Sequence, residues 1–61
     1  MKVRDIIREI EQAGWFYVRT RGSHHHYHHA ERRGTVTVPG QPNDDLSLKT
    51  LISIRRQAED K

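Results

Sequence analysis

The chain has 61 residues, with 11 Lys and Arg against 8 Asp and Glu, a formal net charge of +3, five histidines and no cysteine. Residues 1–61 are expected to form one domain of modest stability, since a domain this small buries only about 60% of the surface that its unfolded chain exposes. The absence of thiols excludes a disulfide framework and a thiolate metal site, and no apolar run approaches the ~20 residues of a membrane span, so a cytoplasmic protein is expected. A sequence pI near 9.8 fits an anionic partner without demanding one.

Val3, Ile6, Ile7, Ile10 and Ala13 recur at helical spacing, with Arg4, Asp5, Arg8, Glu9, Glu11 and Gln12 on the other face. This predicts a helix over 3–13, closed by Gly14. Trp15 to Thr20 is aromatic or β-branched in most places and reads as a strand, and Arg21-Gly22-Ser23 supplies turn chemistry. His24 to Ala30 is the returning strand, Glu31 to Gly34 a second turn, and Thr35-Val36-Thr37-Val38 a third strand closed by Pro39-Gly40. After the polar loop from Gln41 to Asp45, Ser47 is placed to cap a last helix over 47–58, with Leu48, Leu51, Ile52, Ile54 and Ala58 as its apolar positions. The whole is a three-stranded antiparallel meander bracketed by two amphipathic helices.

All five histidines fall between Gly22-Ser23 and Ala30, flanked by Arg19, Arg21, Arg32 and Arg33. Gly-Ser followed by histidines also resembles an affinity-tag scar, but Tyr27 interrupts this run and patterned sequence follows it. Alternate residues of a strand point to opposite faces of the sheet. With both helices on one face, the expected inward set is Phe16, Val18, Tyr27, Val36 and Val38. Tyr17, Arg19, Thr35 and Thr37 then face outward. The parity that buries Tyr27 sends His24, His26 and His28 outward beside Arg19 and leaves His25 and His29 nearer the helices. One sheet face becomes a surface of imidazole and guanidinium groups.

The ordered set of Gly14-Trp15, Val18-Arg19, Gly22-Ser23-His24-His25, an aromatic at 27, Gly34-Thr35-Val36-Thr37-Val38-Pro39, Asp45-Leu46, Thr50-Leu51 and Ile54 through Gln57-Ala58 resembles the HicA toxins of bacterial HicA–HicB toxin–antitoxin systems. The resemblance covers nearly the whole chain. It implies an α+β fold like a double-stranded-RNA-binding domain, α-β-β-β-α, with both helices on one face of a three-stranded antiparallel sheet. It also implies an endoribonuclease that cleaves mRNA until a HicB antitoxin covers it, the free toxin being monomeric and the higher assembly forming with the antitoxin. The family's catalytic histidine, directly after Gly-Ser, falls on His24. The chain departs from the pattern at Leu48-Lys49, where members often carry Lys-Gly, and at Arg55, where an aliphatic residue is frequent.

Metal-independent RNA cleavage needs a proton acceptor for the ribose 2′-OH, a proton donor for the leaving oxygen, and positive charge at the non-bridging oxygens. His24 can serve as acceptor or donor, with no cofactor. His26 and His28 are expected to contact RNA, with either able to act as a second imidazole. Arg19 and Arg21 are the candidates for charge neutralisation, and Gly22 and Ser23 for shaping the turn and binding phosphate. Two other readings compete: a non-catalytic RNA-binding module of the same fold, and a metal-binding protein built on the His-x-His pairs with Asp44 and Asp45 as reserve ligands.

Overall fold

The computed structural model describes residues 1–59 and has the order α1 (Val3–Gln12), β1 (Trp15–Arg21), β2 (His24–His29), β3 (Val36–Pro39) and α2 (Leu48–Ala58). The strands form one antiparallel sheet in the order β1-β2-β3. Val3, Ile6 and Ile10 of α1 and Ile54 of α2 join Trp15, Tyr27, Val36 and Val38 in one buried cluster, so both helices cover the same sheet face. This is the expected α-β-β-β-α fold, like a double-stranded-RNA-binding domain. No helix among the described residues is long and apolar enough to cross a membrane.

Each helix starts and stops for a local reason. The Asp5 carboxylate accepts from the Lys2 backbone N–H at 3.1 Å, placing an acceptor at the helix N-terminus. At the other end Gly14, with φ of 102°, donates to the Glu11 carbonyl at 3.0 Å and turns the chain into β1. Ser47 caps α2 as expected, its hydroxyl accepting from the Thr50 N–H at 3.2 Å. Arg55 forms a two-pronged pair with Glu9, both contacts at 2.9 Å, which ties α2 to α1. That pairing gives the Arg55 cation a partner at the position where the resemblance led to the expectation of an aliphatic side chain. Because both partners are about half exposed, solvent screens the pair and its contribution to stability is small.

The inward set on β1 differs from expectation. Trp15, at 2% exposure, is the buried residue, whereas Phe16 is 52% exposed and stands on the outer face. Tyr17 lies on the helix side, edge-on to Tyr27 at 5.9 Å, not outward. The reason is a β-bulge: β1 pairs Tyr17 with Tyr27 but Arg19 with His26, leaving Val18 without a partner. One extra residue reverses parity across it, so Trp15 and Tyr17 face inward and Arg19 still faces outward.

In α2, Leu48 and Ile52 are exposed rather than core, at 72% and 45%. The helix leans on the open edge of β3, where the Gln57 side-chain carbonyl accepts from the Thr37 N–H at 2.9 Å. A side chain thus satisfies an edge-strand donor that would otherwise invite another strand. Only Ile54 of α2 is buried, with Leu51 and Ala58 packed against the cluster.

Candidate functional site: an imidazole and arginine sheet face

Gly22 and Ser23 form a two-residue hairpin between Arg21 and His24, which are paired across β1 and β2. Gly22 has φ of 59°, and among the described residues only glycines have positive φ, so the turn fits the II′ pattern, which needs glycine at its first central position. The turn is also held from outside. Gly40 donates its N–H to the Ser23 carbonyl at 2.9 Å, and its own carbonyl accepts from His25 Nε2 at 2.8 Å. His25 Nδ1 meets the Thr20 hydroxyl at 3.0 Å, and that hydroxyl meets the Tyr17 hydroxyl at 2.8 Å. His25 therefore braces the helix-side surface beneath the hairpin, directly behind His24.

His29 is structural in the same sense. Its Nε2 donates to the Ala13 carbonyl and its Nδ1 accepts from the Glu31 N–H, both at 3.0 Å, which specifies the tautomer with the proton on Nε2. The ring joins the end of α1 to the end of β2 and sits edge-on to Trp15 at 5.2 Å. His25 and His29 thus lie on the helix side, as strand alternation predicts.

The outer face carries the rest. Across β1 and β2 the pairs are Arg21 with His24, Arg19 with His26 and Phe16 with His28, and His26 also lies opposite Thr37 of β3. His26 Nδ1 hydrogen-bonds the Thr37 hydroxyl at 3.2 Å, which confirms that both face the same way. His28 and Phe16 meet edge to face with centroids 6.5 Å apart. His24 is exposed at the turn end of this row. Arg19, Arg21, His24, His26 and His28 therefore share one open surface.

Partial desolvation, followed by the positive charge of Arg19, Arg21, His24 and His28, holds the His26 imidazole below its ordinary value of 6.5. A base with a depressed folded-state pKa binds fewer protons in the fold than in the unfolded chain, so its contribution is complete above about 6.5 and is lost as pH falls below it. Urea-unfolding midpoints should accordingly fall as the buffer is taken from pH 7 towards pH 5, and His26→Gln should flatten part of that slope. An unchanged slope in His26→Gln would refute this assignment.

Beside His24 a groove of about 360 Å³ runs between the outer face and α2, lined by His24, Thr37, Pro39, Lys49, Ser53 and Gln57 among others. Lys49, Ser53 and Gln57 are not among the site residues expected from the sequence. Their spacing of four residues places them on one helical stripe and was the available signal. The described residues include no group of three or more His, Cys, Asp or Glu side chains arranged to hold a metal ion.

The model of the HicA toxin of bacterial toxin–antitoxin systems matches residues 3–59. The chain belongs to the HicA toxin family. It is therefore a toxin of a toxin–antitoxin system, a family generally made up of ribonuclease toxins, and membership implies an antitoxin partner. No curated protein matches the chain. Within the HicA pattern, the histidine that follows Gly-Ser is His24, the exposed member of the row at the mouth of the groove.

Proposed function

We propose that this HicA-family toxin is an endoribonuclease that cleaves mRNA by metal-independent proton transfer at His24. The observation that carries the reading is the placement of His24: it is exposed, on the open sheet face, paired across the hairpin with Arg21 and beside a groove that holds Lys49. In this reading His24 takes the proton of a ribose 2′-OH as the 2′-oxygen bonds to the adjacent phosphorus. The bond from phosphorus to the 5′-oxygen breaks, and that oxygen receives the proton. Arg19 and Arg21 offset charge on the non-bridging oxygens, and the Gly22-Ser23 turn lies where a phosphate would approach. His26 and His28 contact the RNA along β2.

The inhibitor is a HicB-like antitoxin. A basic, histidine-rich face calls for acidic or aromatic groups from the partner, engaging Arg19, Arg21 and the segment from Gly22 to His28. The free toxin is monomeric, and larger assemblies form with the antitoxin.

The reaction should survive strong chelation. Purified chain incubated with RNA and EDTA should still cleave, leaving a 2′,3′-cyclic phosphate or its hydrolysed 3′-phosphate. Activity lost in EDTA and restored by magnesium or manganese, with 5′-phosphate ends, would establish metal-assisted hydrolysis instead. A non-catalytic RNA-binding module would bind RNA and leave it intact under both conditions.

A further inference from the structure

Phe16 has no role in the core, because the bulge at Val18 turns it away from the helices and leaves it 52% exposed. A half-exposed phenylalanine in a domain with so small a core is apolar surface that folding has not used. Its surroundings restrict what it can meet. Phe16 lies edge to face with His28, and the same face carries Arg19, Arg21, His24 and His26. A cationic face suits a polyanion, and an aromatic ring in such a face suits the flat surface of an unpaired base. The exposed Leu48 and Ile52 differ, since they lie on α2 outside this row.

We propose that Phe16, steadied by His28, is a stacking platform for a base of single-stranded RNA, placing a neighbouring nucleotide's phosphate at His24. The proposal rests on the ribonuclease reading above and deepens it by naming an unpaired strand as the substrate. His28 lies four residues along β2 from His24, about 13 Å at the usual rise of a strand. The stacked base therefore belongs to a different nucleotide from the one whose phosphate is attacked. The chain of the RNA would follow β2, with its sugars and phosphates passing His26 and the two arginines.

The test measures binding of a short single-stranded RNA carrying one 2-aminopurine, with the full chain as His24→Gln so that the probe is not cut. Phe16→Ala should weaken binding roughly 5- to 100-fold and abolish the quenching of 2-aminopurine at one position, the range expected for one lost base stack. Phe16→Leu should fail likewise, and Phe16→Tyr should bind and quench as the parent does, because only an aromatic ring stacks. Phe16 is exposed, so far-ultraviolet circular dichroism should show all three variants folded. If the parent binds RNA and Phe16→Ala binds it equally well, the platform is refuted and the ribonuclease reading stands. Should Phe16→Ala weaken only the complex with the antitoxin, Phe16 is a protein contact and the platform is again refuted. A parent that binds no RNA overturns both readings.

Discussion

His24→Ala, and the gentler His24→Gln, should lower RNA cleavage by on the order of 100-fold or more, the scale of losing a positioned proton-transfer group. The fold should be unaffected, because His24 is exposed and the turn that precedes it is held by Gly40 through Ser23 and His25 instead. Antitoxin binding and RNA binding should persist. His26→Ala and His28→Ala should lose less, since they line the path of the RNA without moving the proton. Single-turnover cleavage of one RNA by the four variants separates these roles. A fully active His24→Ala beside a dead His28→Ala would move the catalytic group along the strand and leave the ribonuclease assignment in place.

Ile54→Ala should be the most damaging core substitution on α2. Ile54 is 1% exposed and is the single buried residue of that helix, so it anchors α2 to the sheet. Truncating a buried isoleucine costs about 2–5 kcal/mol, whereas a chain of this size has a total stability of about 3–9 kcal/mol. The variant should melt roughly 10 °C or more below the parent, or unfold without a cooperative transition. Function should follow, because the same helix holds Lys49 in the groove and Gln57 on the edge of β3. Ile52→Ala is the control: with Ile52 at 45% exposure, it should change stability by about 0.5 kcal/mol or less. Thermal melts that place Ile54→Ala within about 2 °C of the parent would show that α2 is anchored elsewhere.

Much of the fold was legible residue by residue. The apolar period of α1, the glycine that closes it, the Ser47 cap and the alternation in β3 are local signals, and the helices lie within a residue or so of the spans expected at 3–13 and 47–58. The outward placement of His24, His26 and His28 followed from the burial of Tyr27 on the same strand, because alternation along one uninterrupted strand needs no knowledge of its neighbours. Family membership also lay in the order and spacing of residues along the chain.

Two features depended on packing between elements. The bulge at Val18 arises from how β1 registers against β2, and nothing in Trp-Phe-Tyr-Val-Arg-Thr marks where the partner strand skips a residue. That single skip exchanges Phe16 for Trp15 in the core and puts an aromatic ring on the histidine face. The arc of α2 that is buried was equally hidden. Leu48, Leu51, Ile52, Ile54 and Ala58 are all apolar, but the helix sits at the sheet edge and buries only part of that arc, against β3. Periodicity along the chain specifies which side chains can share a face; which face meets the core is decided when the strands pair and the edge of β3 takes Gln57.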